Sequence, residues 1–310
     1  MGRPLGLKKI NGKWVQTTPV AGPNGFVGSQ AALQAAGVLT GPLAIKPIET
    51  DAQIDKRIRQ RFNVVETMTK DCIKGACRCL IVSGPGGMSK SYLVERLIRA
   101  ADPEMSRSVI RRGFSTKTGL YRTLLDYQGS KNVVVWDDCD AVFKDEEGLN
   151  ILKVAADTTE KREIYYGAET NMVDSSGQPL PTTFEFRGSL IFLTNYDFED
   201  AMMKGTGLSV HFGALMDRAQ YISIGLKTVH DYLIRIKQVV HDDGMLKDAG
   251  FEANEEQEII DFIEAQSEPV YKFRQLTMRT VKKVAEHYRN HASDWKKLSA
   301  VTLFKNGFDL

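Results

Sequence analysis

Eight consecutive residues, Gly84, Pro85, Gly86, Gly87, Met88, Ser89, Lys90 and Ser91, have the composition of a phosphate cradle. Glycines let successive backbone N–H groups point inward at anionic oxygens, and a helix that follows adds the positive end of its dipole. A lysine reaches the β- and γ-phosphates, and a hydroxyl takes a Mg²⁺ ion. The stretch fits G-x-x-x-x-G-K-[ST] with one departure, Ser89 where glycine is expected. Taken alone, it leaves an ordinary glycine turn before a helix as the alternative. A second group of acids, Asp137 and Asp138, closes the run Val133–Trp136. An aspartate at such a strand end is placed to hold the Mg²⁺ of a bound nucleotide, and its neighbour to orient an attacking water. Asn195 ends another apolar run, Ser189–Thr194, within reach of a γ-phosphate or its water.

The elements that must position these residues can be read around them. Cys79–Ser83 is a short apolar run before the glycines, and Leu93, Leu97 and Ile98 follow at helical spacing, so the order is strand, loop, helix. Val133–Trp136 and Ser189–Thr194 are continuous apolar runs, the pattern of strands buried on both faces of a parallel sheet. Around them the sequence predicts a strand at Ser108–Phe114, helices over Gly119–Gln128 and Glu146–Ala156, and a hairpin of Arg162–Tyr166 with Thr183–Arg187. The hairpin tip, Glu169–Gln178, carries acids but no lysine or arginine. His211–Arg218 reads as a short helix ending in arginine, before a strand at Tyr221–Ile224. Further helices start at Thr228, at a capping box of Asn254 with Gln257, and at Thr277, with Trp295 and Leu298 closing their core.

Upstream, a helix from Asp51 to near Gly75 carries Lys56, Arg57, Arg59 and Arg61, which read either as a solvated face or as a nucleic-acid contact. Residues 1–50 differ from the rest. They hold half of the prolines, and Glu49 is their one acid against Arg3, Lys8, Lys9, Lys13 and Lys46. This predicts an extended basic arm, with Trp14, Val15, Phe26 and Val27 as anchors, or a mobile tail, and a short helix at Ala31–Ala36. The chain of 310 residues has a formal net charge of only +2, so no global field argues for nucleic acid or membrane. It lacks an apolar run of about 18 residues and an apolar leader, which points to a cytoplasmic protein with no membrane partner. Cys72, Cys77, Cys79 and Cys139 lack histidines at zinc spacing and read as buried or half-buried thiols.

The order of these parts resembles the AAA+ P-loop ATPases over Asp51–Leu310. Phrases such as TGLYRTLLDY, VVVWDDCDAVF, FEFRGSLIFLTN and HFGALMDRAQYI resemble a group of them encoded by tailed bacteriophages. The resemblance implies an α/β fold: an AAA+ core with a central parallel sheet and a β-hairpin inserted before the sensor 1 strand, plus a C-terminal α-helical lid. The implied division is an arm at 1–50, a core at 51–225 and a lid at 226–310. It makes Lys90 and Ser91 the Walker A lysine and Mg²⁺ ligand, Asp137 the Walker B metal aspartate, and Asp138 the counterpart of a usual glutamate. Asn195 becomes sensor 1, Arg218 an arginine finger entering a neighbouring subunit's site, and Arg279 sensor 2 in its own. Ordinary surface or ion-paired arginines are the alternative for Arg218 and Arg279.

The same resemblance implies ATP and Mg²⁺ as cofactors and a homo-oligomeric ring or spiral, most often of six subunits. In relatives the loop Arg111–Lys117 is a pore loop; Arg111, Arg112, Phe114 and Lys117 are then contacts for DNA or a polypeptide, or else ordinary loop residues. Three functions follow as expectations. The first is an ATP-driven motor or remodeller in phage DNA metabolism, such as a helicase loader, translocase or replication accessory factor, acting in the cytoplasm of an infected host. Its partners are DNA and a phage or host replication protein met through the arm. The second is a protein remodeller or adaptor. The third is a nucleotide-gated assembly protein with slow or vestigial hydrolysis, motivated by Ser89.

Overall fold

A computed structural model describes residues 7–10, 13–16, 19–21, 27–29, 49–167, 173, 178–205, 208–268 and 270–306. The chain divides into two units, Met1–Glu49 and Thr50–Leu310. In the first, the described residues form two antiparallel pairs, β1 (Leu7–Ile10) with β2 (Lys13–Gln16) and β3 (Pro19–Ala21) with β4 (Val27–Ser29). Phe26 and the helix expected at Ala31–Ala36 lie outside the described residues, as do the hairpin-tip acids Glu169 and Asp174.

The second unit opens with α1 (Asp51–Lys74). The Thr50 hydroxyl accepts the Gln53 N–H while the Gln53 side chain accepts the Thr50 N–H, and Gly75, left-handed at φ +79°, ends the helix. Its buried stripe of Ile54, Ile58, Phe62, Val65 and Cys72 recurs at helical spacing. The basic run is tied down within the chain: Arg57 pairs with Asp231 at 2.8 Å, Arg59 with Asp55 at 2.8 Å and Asp242 at 2.5 Å, and Arg61 donates to the Ser223 carbonyl. Lys56 stays exposed.

Then follow β5 (Cys79–Ser83), α2 (Lys90–Ala101), β6 (Ser108–Arg112), α3 (Lys117–Asp126), β7 (Val133–Asp137) and α4 (Glu146–Ala155). The hairpin β8 (Glu163–Tyr165) with β9 (Thr183–Glu185) precedes β10 (Ser189–Thr194), α5 (Phe198–Met203), α6 (Ser209–Arg218) and β11 (Gln220–Ser223). The C-terminal helices are α7 (Val229–His241), α8 (Ala253–Ala265), α9 (Met278–Asn290) and α10 (Trp295–Leu303).

Five strands form one parallel sheet in the order β11-β5-β10-β7-β6. Every residue of β5, β7 and β10 is buried, because both faces are covered. Alternation along each strand sorts the side chains. Leu80, Val82, Val133, Val135, Ile191 and Leu193 pack with α1, α2 and the C-terminal helices. Ile81, Val134, Trp136, Leu190 and Phe192 pack with α3, α4 and α6. Register brings the carboxyl ends to one edge: Thr194 lies opposite Ser83, and Asp137 opposite both Leu193 and Arg112. The α/β class, the central parallel sheet, the hairpin before β10 and the C-terminal helices are as the sequence implied.

Several local expectations change. The box that starts α8 is Glu252 with Glu255, whose carboxylate accepts the Glu252 N–H at 2.8 Å; Gln257 instead bonds Asp261 within the helix. Asp145 and Thr116 cap α4 and α3 by accepting Gly148 and Gly119 N–H groups, so α3 starts two residues before Gly119. Strand β6 stops at Arg112, leaving Phe114 exposed. Trp295 is buried against Phe262 and Tyr288, whereas Leu298 is half-buried. All four cysteines are buried free thiols, and among the described residues no group of three or more His, Cys, Asp or Glu is arranged to hold a metal ion.

Candidate functional site

Strand β5 delivers the loop Gly84–Ser89 to the carboxyl edge of the sheet, between its neighbours β10 and β11, which is where open α/β sheets have their crevice. The loop ends at Ser89, a non-glycine residue in the left-handed region (φ +67°, ψ +13°), and α2 begins at Lys90. The buried Lys90 amine donates to the Gly84 carbonyl at 2.6 Å, the Pro85 carbonyl at 2.8 Å and Asn195 Oδ1 at 3.2 Å. Burial pushes its pKa down to about 8, against the pull of Asp138, Asp137 and Asp140.

Asn195, the first residue after β10, turns its other amide atom to the acid pair: Nδ2 donates to Asp138 Oδ1 at 3.0 Å. One amide therefore joins Lys90 to Asp138. Asp138 has left-handed backbone (φ +55°), and its N–H bonds the Leu193 carbonyl at 3.0 Å. Burial, then the negative charge of Asp137, hold its carboxyl above the usual carboxylate range. Asp137 is buried beneath: its Oδ1 accepts the Ser91 hydroxyl at 2.7 Å, and its Oδ2 accepts Arg112 Nε at 2.9 Å. Arg112 also pairs with Glu95 at 2.5 Å, so it faces the acid pair and α2.

These groups open on a cavity of about 430 Å³ lined by Gly86, Gly87, Ser89, Lys90, Ser91, Asp138, Asn195 and Arg279. The Met278 N–H, at the start of α9, bonds the Gly87 carbonyl at 2.9 Å, which ties the residue before Arg279 to the loop. Pro85, Met88 and Asp137 are not among the lining residues, and Met88 and Asp137 are buried. Arg218 is not among the lining residues. At the end of α6, its Nε pairs with Asp157 Oδ2 at 3.0 Å and its Nη1 donates to the Ala214 carbonyl at 2.7 Å.

Sequence reasoning missed the far wall, where Val239, Met245 and Met278 give an apolar surface beside Asp243, Asp248 and Lys282. It also missed Arg112 as a partner of Asp137, and Arg235, which donates through Nη2 to Ser89 Oγ at 2.7 Å. The signal for Arg235 was present: a cation set between Ile234 and Ile236 in the run Leu233–Val240.

No protein-family model matches the chain. An uncharacterized 36.7 kDa protein from the nrdC-mobD intergenic region of Enterobacteria phage T4 is 28% identical over 252 residues, covering 81% of this chain and 76% of that protein. Among solved structures, a mutant of Thermotoga maritima RuvB is 12% identical at a TM-score of 0.42, with 79% of this chain and 69% of that one covered. Domain III of the Thermotoga maritima replication initiation protein DnaA is 9% identical at 0.42, with 79% and 92% covered. NtrX from Brucella abortus in complex with ATP is 13% identical at 0.44, with 88% and 56% covered. The chain's own parallel sheet, glycine loop and C-terminal helices follow in the order that the sequence resemblance implied.

Proposed function

We propose that the chain binds ATP in this cavity and hydrolyses it to ADP and phosphate, as a motor or remodelling ATPase in bacteriophage DNA metabolism. The observation that carries the reading is the chain Lys90–Asn195–Asp138 set beside Ser91–Asp137. Lys90 moves its amine from loop carbonyls to the β- and γ-phosphates. Asp138 accepts a hydrogen bond from the attacking water and Asn195 keeps that carboxylate and the lysine in register. Arg279, which lines the same cavity, meets the γ-phosphate.

The Ser91 hydroxyl and the Asp137 carboxylate are a hard-oxygen pair of the kind that holds Mg²⁺, which takes one or two protein oxygens and keeps waters and phosphate oxygens as its other ligands. When bound, the ion neutralises charge on the transferring phosphate. Arg218, outside the cavity of its own chain, serves a neighbouring copy in a ring or spiral of six. DNA, and a phage or host replication protein reached through residues 1–50, are the proposed partners.

The test is ATP turnover by the purified protein with and without single-stranded and duplex DNA at low salt. Turnover stimulated by DNA is expected. Turnover without DNA binding or stimulation overturns the DNA half and favours a protein substrate. Nucleotide binding without turnover leaves a nucleotide-gated assembly protein.

A further inference from the structure

Ser89 is the one residue of the loop that departs from the phosphate-loop pattern, and it has a dedicated partner outside the loop. Its hydroxyl accepts Arg235 Nη2 at 2.7 Å and donates to the Met88 carbonyl at 2.6 Å. Arg235 projects from the middle of α7 and only 6% of it is exposed. Its guanidinium stacks 3.5 Å from the centre of the Phe62 ring of α1, and Nη1 donates to Gln238 Oε1 at 3.1 Å. Gln238 in turn donates to the backbone and carboxylate of Asp55 on α1. The nearest carboxylate, Asp243, is 3.9 Å away and lines the cavity, while the buried Nε has no partner among the described residues.

Such an arrangement is costly unless it fixes something. A desolvated cation with an unpaired donor is unfavourable, and so is a side chain on left-handed backbone. Both costs meet at one charge-assisted hydrogen bond, the stronger kind. A glycine at 89 would adopt the same backbone without the Cβ but would give Arg235 nothing to hold.

We propose that Arg235 is a positioning residue for the phosphate loop, acting through the Ser89 hydroxyl, so that the placement of α7 sets the loop's affinity for nucleotide. The inference rests on the reading of the loop as a nucleotide cradle. Because such coupling is reciprocal, nucleotide in the loop equally biases where α7 sits. The serine is then the receptor of a second contact from the C-terminal helices to the loop, beside the one that α9 makes through Met278 and Gly87.

The experiment is a double-mutant cycle in the full chain with Ser89→Ala, which keeps the Cβ and removes the hydroxyl, and Arg235→Met, which keeps the volume. Each single change is expected to raise the Kd of a fluorescent (mant) ADP by about tenfold, and the pair together by no more than either alone. Ser89→Gly is expected to match Ser89→Ala. In turnover, Ser89→Ala raises KM for ATP with kcat within about twofold of the parent, because it removes binding made equally in the ground and transition states. A merely structural role would lower the active fraction, reducing kcat at unchanged KM. Full multiplicativity of the two changes, or a Ser89→Ala Kd within about twofold of the parent, overturns the proposal. Amide hydrogen exchange of the nucleotide-free protein separates this from a failure of the nucleotide reading. If the parent binds no mant-ADP, faster exchange over residues 84–89 in both variants still supports the latch, and unchanged exchange overturns it.

Discussion

The two ends of the candidate machinery are built differently. At the phosphate end, Lys90, Ser91, Asp137, Asp138 and Asn195 come from two strand ends and a helix start and hold one another at 3.2 Å or less. At the other end, Arg218 closes α6 away from the cavity, its side chain a third exposed and held by one carboxylate and one carbonyl of its own chain. Groups on adjacent strand ends are positioned by sheet register, which one chain supplies alone. A helix end that faces away from the cavity takes a role in hydrolysis only where a second copy meets it.

Arg218→Ala tests that contrast most severely, with kcat expected to fall about 10³-fold or more. Mixing it with Lys90→Ala subunits restores turnover, since each variant keeps what the other lacks; a loss that mixing does not restore puts Arg218 with the internal set. Asp138→Asn comes next, with kcat lowered about 10²-fold and mant-ADP affinity kept, as for loss of a group that orients water. A parallel loss of affinity would show that the Asn195 bridge needs the charge.

His230, outside both ends, sharpens the contrast through pH. It bonds Asp51 at 2.9 Å and Glu268 at 3.0 Å, and its pKa is raised first by the bond to Asp51. A raised value means stability fully present below the ordinary histidine range and lost as pH rises through the folded value. The exposed setting screens the effect, so from pH 6 to pH 8 the melting temperature of the parent should drop by no more than about 3 °C beyond any change seen in His230→Asn. kcat of that variant, relative to the parent, should not change across the same range. The smallest effect is that of Asp157→Asn, a partly exposed pair worth about 0–1 kcal/mol, with little change in melting. A large change would make Arg218 a structural residue.

The parts read most directly from sequence are those whose partners are neighbours in sequence. Val133–Trp136 and Leu190–Thr194 are continuous apolar runs because both faces of β7 and β10 are covered, so strands and the polar residues that end them were visible together. Arg112 was read as a loop contact because its partner Asp137 is 25 residues away and is set by β6–β7 register. The bond between Ser89 and Arg235 spans 146 residues and depends on how α7 packs on α1. Helix α5 was missed because six residues carry too little of a 3.6-residue period, and Glu252 because glutamate is an unusual start for a helix.

The glycines before Lys90 carry a consequence for how this chain can change. A Cβ on Gly84 would lie 2.8 Å from the Ile224 Cβ, and one on Gly87, whose φ is +72°, would lie 2.8 Å from the Thr277 Cβ. Neither neighbour belongs to the loop; one follows β11 and the other caps α9. Drift at 84 or 87 therefore demands a matching change more than a hundred positions downstream, whereas position 89 already carries a side chain with a partner. A library randomised across Gly84–Ser91 should recover almost no variety at 84 and 87, unless Ile224 and Thr277 vary with them.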